Sequence, residues 1–331
     1  MTTPSRLFRA LSISAAVLVV AIVFGLWAGY ERITVESLRA DPMARALFFR
    51  VRMPRVALAA LTGAALSVVG AALQALFRNP LAEPFTLGVS GGGALGASVA
   101  IAFGWGARAW GVPLVFVASF GGAMLAVFVV YRIARTGMVV LPGALLLSGV
   151  IVNLIAASGV LILEYLTDPS RSLQILRWTV GSLDIVGFDM IWRMAVVLGP
   201  ATIALLAFAR DLQLLAVDED TAASLGVNVR RTEGAIYFLS SLLVGVTVAV
   251  GGAIGFVGLI VPHAVRLVFG QDLRILMPAS VLLGAAFLIA ADTVARIAVS
   301  STELPVGAVT ALLGGPVFLW LLTRRQRHAA M

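Results

Sequence analysis

Gly251-Gly252-Ala253-Ile254-Gly255-Phe256-Val257-Gly258, followed closely by Pro262 and His263, sets helix-breaking residues inside apolar sequence. Backbone broken at membrane depth survives only where protein buries it or where it lines a wet cavity. The run therefore points to a path through a bundle of spanning helices. Read more simply, glycines four apart such as Gly251 and Gly255 let helix backbones approach closely. The same punctuation recurs in Asn79-Pro80-Leu81-Ala82-Glu83-Pro84, in Gly88, Gly92 and Gly96, and in Pro305 with Gly314-Gly315-Pro316.

Working outward from these breaks, the rest of the chain is span-like. It is 60% apolar and only 12% charged, with a mean hydropathy of +1.03, against about 25% charge in a soluble domain. A spanning helix takes about 20 mostly apolar residues. Ten such segments are centred near residues 20, 66, 95, 122, 152, 200, 243, 262, 284 and 315. This is an all-α polytopic membrane protein with about ten transmembrane helices, and residues 1–331 leave no room for a second, soluble domain. Trp27, Tyr30, Trp105, Trp110, Tyr131, Tyr165, Trp178, Trp192, Tyr237 and Trp320 fall near segment ends, as in an interfacial belt. The first apolar run, Leu11 to Gly29, follows Arg6 and Arg9 but exceeds a signal-peptide core and has no small-x-small cleavage site after it. It is expected to stay as the first helix.

Two absences restrict the chemistry. Without cysteine there is no disulfide, thiolate nucleophile or cysteine metal site. All 24 basic residues are arginine, so no lysine-bearing phosphate loop exists, and any ATP that drives the protein is hydrolysed by another polypeptide. Ten spans put both termini on one side, and Arg324, Arg325 and Arg327 after the last span argue for the cytoplasm. On that topology 13 arginines lie inside and 11 outside; six of the latter, Arg32, Arg39, Arg45, Arg50, Arg52 and Arg55, share one loop. Either one span is misplaced, or that outer loop is basic for a reason.

The longest polar stretch on the inner side is 211–233. Asp218 can cap a short helix, Glu219 and Asp220 load its first turn with the favourable sign, and Gly226 can end it in the left-handed conformation. Such a helix would expose Thr221, Ala222 and Leu225 as a socket for a partner. A merely solvated loop is the other reading.

Taken together the motifs resemble the FecCD family, the permease subunits of type II ABC importers for iron-siderophores, haem and cobalamin. They run in order as Arg52-x-Pro54-Arg55, Asn79 to Pro84, Leu87 to Gly92, Leu146 to Val150, Ala222 to Gly226, Gly252 to His263, Ala291 to Arg296 and Glu303 to Gly307. The resemblance implies ten helices per chain, a second copy of the chain around a shared pathway, two ABC ATPase subunits and a periplasmic substrate-binding protein, in the bacterial inner membrane. It implies docking of the binding protein on Arg52, Arg55 and Arg296, for which bidentate carboxylate pairing is apt; snorkelling at helix ends is the bland account. It implies ATPase coupling through the helix of Asp218, Glu219, Thr221, Ala222, Leu225 and Gly226. Asn79, Pro80, Glu83, Pro84, Gly252, Gly255 and Pro262 are candidates for the pathway or its helix breaks.

No cofactor is expected in this chain, since ATP and magnesium would belong to the ATPase. No metal site or nucleic-acid partner is expected either, and membrane lipid is the surroundings. His263 reads as structural rather than as a ligand. Arg177 and Trp178 suit contact with cargo or the binding protein and interfacial anchoring equally well. Glu83 and Asp292 are costly at membrane depth, and each is expected to pair with an arginine or to cap a broken helix. The function expected is import of an iron chelate, siderophore or haem, with cobalamin as the alternative. An ion-coupled secondary transporter is the alternative of a different class, and would need membrane carboxylates free to carry ions.

Overall fold

A computed structural model describes residues 4–29, 33–136, 139–140, 142–299 and 303–329. Tyr30 and Arg32, and the side chains of Trp320, Arg324, Arg325 and Arg327, lie outside what is described.

The chain is a bundle of helices. The first half comprises α1 (Pro4–Trp27), the short α2 (Val35–Ala40) and α3 (Pro42–Leu47), a π-helical turn at Phe48–Arg52 leading into α4 (Met53–Leu76), a 3-10 turn at Pro84–Leu87, α5 (Val89–Ala102), α6 (Leu114–Ala134), α7 (Pro142–Leu166) and α8 (Pro169–Val180). Next come α9 (Asp189–Ala207), α10 (Ala209–Leu215), α11 (Glu219–Ser224), α12 (Val229–Gly251), α13 (Val257–Phe269), α14 (Leu273–Ile297) and α15 (Val306–Ala329). Among the described residues seven helices are long and apolar enough to cross a membrane, and three shorter apolar ones, Val89–Ala102, Val257–Phe269 and Val306–Phe318, complete the ten segments read from hydropathy.

Burial sorts these helices into layers. The span containing α4 is 78% buried, and α12 and α14 are 61% buried, whereas α1 is 22% buried and α6, α7 and α9 are 28% buried. The outer helices expose Leu125, Phe128, Leu154, Ile155, Leu161 and Val196. In water that surface would be an aggregation hazard; it suits hydrocarbon or another apolar helix face. Small residues do bring helices together, because a Cβ on Gly92 or Gly96 would strike the carbonyl oxygens of Gly122 and Ala118 on α6. Gly88 does something different, turning the chain at φ +82° before α5 starts.

The eighth segment is not a full span. α13 has 13 residues, about 20 Å at ~1.5 Å per residue, against a hydrocarbon core of about 30 Å. Residues 252–256 cover the remainder as non-helical chain, so α13 begins within the bundle. Pro262, expected at a helix break, instead sits inside α13. A proline there leaves the carbonyl four residues earlier without a donor. That carbonyl, on Gly258, accepts from Gln74 Nε2 of α4 at 3.1 Å, so the helix continues.

Candidate functional site

The two broken stretches meet in the interior. Glu83, at the end of the α4–α5 linker, accepts the backbone N–H of Phe256 through Oε1 at 2.6 Å. Phe256 is the N-cap of α13 and holds φ +67°, a conformation that is costly for a bulky side chain and is found where surrounding structure enforces it. Glu83 thus caps a broken helix, one of the two roles anticipated for it. The 3-10 turn between Pro84 and Leu87 is held by Asn153 of α7, whose Nδ2 donates to Phe85 O at 2.9 Å while its Oδ1 accepts from Gly91 N at 2.9 Å. One side chain therefore serves both the turn and the first turn of α5. Within the linker, Asn79 Oδ1 accepts from Leu81 N at 3.0 Å, which shapes the turn around Pro80. Gly255 lies against Glu83 and Phe85, and Gly252, at φ +68°, lies against Trp178 O. Of the helix-break candidates, Asn79, Pro80, Glu83, Pro84, Gly252 and Gly255 occupy the two non-helical stretches or the turn joining them to helices.

Gln74 joins this seam to the lower part of the bundle. It is 3% exposed. Its amide nitrogen serves Gly258 O, and its Oε1 accepts from Arg266 Nη2 at 3.1 Å. Next to it Gly70 admits the same carbonyl, since a Cβ there would collide with Gly258 O.

At the opposite end from α11, the expected docking arginines gather, with their side chains largely buried within the chain. Arg52, Arg55 and Arg296 are only 5%, 6% and 6% exposed. Arg52 donates to Leu26 O and Trp27 O at 3.3 Å. Arg296 donates to Gly25 O at 2.9 Å, so both arginines close the last turn of α1, where unpaired carbonyls attract cations. Asp292, 1% exposed, lies between Arg55 Nε at 2.9 Å and Arg296 Nε at 3.1 Å; it pairs with arginine as anticipated. Arg55 Nη1 turns to the surface, where it meets Asp184 at 3.3 Å and Glu303. Those two carboxylates are 69% and 55% exposed. The basic outer loop thus feeds two of its arginines inward, and Arg55 and Arg296 between them meet three carboxylates. Asp184 carried no signal in sequence, and Glu303 was legible only as part of a motif.

At the other end α11 is built as the sequence specifies. Asp218 Oδ2 accepts from Thr221 N at 2.9 Å and from the Thr221 hydroxyl at 3.1 Å. The Thr221 backbone bond, more than the hydroxyl or the field of Arg78, holds this carboxyl below its ordinary value. Gly226 closes the helix at φ +87°. Thr221, Glu219 and Leu225 are exposed. Ala222 is not, contrary to expectation: it is fully buried against Leu215 and Val227, because its side of a six-residue helix is the only one that can close the turn onto α10. Arg78, which sequence reasoning did not single out, fastens this unit to α4. Its Nε and Nη2 donate to Leu215 O at 3.1 and 2.9 Å, and Nη2 lies 3.5 Å from Glu219. Its own backbone is left-handed, at φ +49°.

Arg177 is exposed on α8. His263 is partly buried with no partner at Nε2, and no metal-holding group occurs among the described residues. Of the three carboxylates an ion-coupled carrier could use, Glu83 and Asp292 are already engaged, and Glu164 lies near the end of α7.

A ten-segment bundle with a broken half-helix at its centre and a capped helix outside it defines an ABC type II importer permease, a multi-pass membrane protein. Residues 13–324 match the model of the FecCD transport family, and the chain belongs to that family. It is 39% identical over 287 residues to the hemin transport system permease protein HmuU of Yersinia pestis, covering 85% of this chain and 84% of that protein. It is 41% identical over 292 residues to the cobalamin import system permease protein BtuC of Halobacterium salinarum, covering 86% of this chain and 76% of that one. A solved structure described as an inward-facing conformation of a metal-chelate type ABC transporter superposes with a TM-score of 0.83 at 30% identity, covering 96% of this chain and 99% of the other.

Proposed function

We propose that two copies of this chain form the membrane pore of an ATP-driven importer that moves an iron chelate, siderophore or haem, from the periplasm to the cytoplasm across the bacterial inner membrane. ATP and magnesium belong to two separate ATPase subunits seated on α11, and a periplasmic binding protein delivers the cargo at the opposite end. The observation that carries this reading is α11. It is capped at both ends, shows Thr221 and Leu225 outward, and is bolted to a central helix through Arg78. A rigid knob of this kind can pass a push from outside to the helices around the seam of Glu83 and Phe256.

The docking role of Arg52, Arg55 and Arg296 takes a modified form. Arg55 is the one that faces outward, and a glutamate of the binding protein would exchange with Asp184 or Glu303 on its Nη1, while Arg52 and Arg296 hold the cluster in place. Cobalamin is the second reading for cargo, favoured by the relative named for it. The test is uptake by proteoliposomes holding the permease with its ATPase and binding protein, offered a ferric siderophore, haemin and cyanocobalamin in turn. ATP-dependent accumulation of one iron chelate alone supports the first reading, and accumulation of cyanocobalamin alone replaces it with the second.

A further inference from the structure

Where α1, α13 and α14 come together at the α11 end of the bundle lies a cleft of about 360 Å³ lined by Arg6, Arg9, Ala10, Ile13, Val268, Phe269 and Ile275. Arg6 and Arg9 are one turn apart on α1, so they share a face. Both are exposed, and neither forms a hydrogen bond or ion pair among the described residues. The nearest acid along the chain, Asp272, is absent from the lining, and its Oδ1 is taken by Arg274 N at 3.0 Å. The rest of the wall is apolar. Beyond the cleft α1 turns Val17, Val19, Val20, Val23 and Phe24 outward, so acyl chains are the neighbours on that side.

We propose that this cleft is a binding site for an anionic phospholipid, with the headgroup phosphate held between the Arg6 and Arg9 guanidiniums and the first acyl carbons against Ile13, Val268 and Phe269. Arginine suits the task because its planar fork gives two parallel hydrogen bonds to phosphate oxygens. Basic pockets between spanning helices at the inner leaflet are where such headgroups bind. A free phosphate would use the two arginines but leave the apolar wall uncovered, which is why the lipid is the occupant. The same construction recurs on the other side of α14, where Arg210 and Arg274 share a cleft of about 280 Å³ with Leu206, Ala207, Ala209 and Pro278.

The experiment is native mass spectrometry of the full-length permease released from nanodiscs that contain phosphatidylglycerol and phosphatidylcholine. Wild type is compared with Arg6→Gln/Arg9→Gln and with Arg39→Gln/Arg108→Gln, which removes two exposed arginines elsewhere. With all proteins carrying Arg210→Gln/Arg274→Gln so that the second cleft does not contribute, retention of phosphatidylglycerol should fall about thirty-fold in the first variant, from the attraction of two arginines at a membrane surface. It should be unchanged in the second, and phosphatidylcholine should be held equally weakly by all three proteins. Equal loss in both variants, no loss in the first, or displacement of phosphatidylglycerol by inorganic phosphate alone would each overturn the proposal.

Discussion

Gln74→Leu isolates the role of a single amide in the half-helix. The substitution nearly conserves volume, leaves Gly258 O without the donor that Pro262 cannot supply, and removes the acceptor of Arg266 Nη2. A buried acceptor stripped of its partner costs about 1–3 kcal/mol. Coupling energies measured inside membranes are smaller, about 0.6 kcal/mol on average and about 1.7 at most. The total cost of Gln74→Leu is therefore set at about 2 kcal/mol. Pro262→Ala restores an N–H at the right place in α13, so the Gly258 carbonyl regains a partner from its own helix. In that background Gln74→Leu still removes the Arg266 contact but orphans no carbonyl, and the expected cost falls to about 1 kcal/mol. The Arg266 loss is common to both arms and cancels in the double-mutant cycle, so the remaining coupling of about 1 kcal/mol belongs to the carbonyl. Equilibrium unfolding of the four proteins in mixed micelles gives the cycle. Additivity within about 0.3 kcal/mol would mean that Gln74 does not substitute for the missing proline donor, and the account of how α13 tolerates Pro262 would be wrong.

Other outcomes follow from the two ends and the core. Asp292→Asn leaves Arg55 and Arg296 facing each other without their shared buried countercharge, and is expected to cost about 3–5 kcal/mol in the same unfolding assay; a loss below about 1 kcal/mol would show the cluster to be well hydrated. Gly96→Val forces a side chain onto the Ala118 carbonyl and should abolish the monodisperse peak in size-exclusion chromatography, which survival of that peak would contradict. Arg78→Ala releases α11 and α10 from α4, so with ATPase and binding protein present it should lower transport per ATP hydrolysed at least several-fold while basal ATPase activity stays at the wild-type rate; parallel loss of both would mean that Arg78 serves only assembly. Asp218, held below its ordinary carboxyl value by Thr221, contributes its cap above the unfolded-state value and loses it as pH falls through the lower folded value. Hydrogen exchange at Thr221 N should thus stay protected from neutral pH down to the ordinary carboxylate range, and Asp218→Ala should remove that protection at every pH.

The ten segments were legible because hydropathy over a window reports the solvent directly. α11 was legible because its determinants are local: Asp218 meets Thr221 three residues away, and Gly226 supplies a left-handed terminus. Its facing was not, since alanine packs inside or out and nothing around Ala222 marks the side toward Leu215 and Val227. The glycine-rich run located the break correctly, but nothing in it marked Phe256 as the left-handed residue at the head of α13. Pro262 looked like a breaker because its remedy, Gln74, is 184 residues from Gly258. The arginines posed the same difficulty: charge counting placed Arg52, Arg55 and Arg296 at the outer end, but their partners on α1, on α14 and in distant loops decide that Arg52 and Arg296 turn inward while Arg55 spans from Asp292 to the surface.

Arg55 and Asp292 are 237 residues apart in the chain, and this separation sets a constraint on manufacture. At about 5–20 residues per second, the ribosome delivers Asp292 some ~12–50 s after Arg55. Glu83 waits in the same way for Phe256, 173 residues later. Throughout that interval the membrane holds an N-terminal half whose central helix carries Arg55 without its buried partner Asp292 and whose linker carries an acid with no backbone to cap. Insertion machinery or water must shelter these groups until the last third of the protein arrives. A chain truncated between α9 and α13 would keep both polar centres half-finished, Arg55 without Asp292 and Glu83 without the Phe256 N–H.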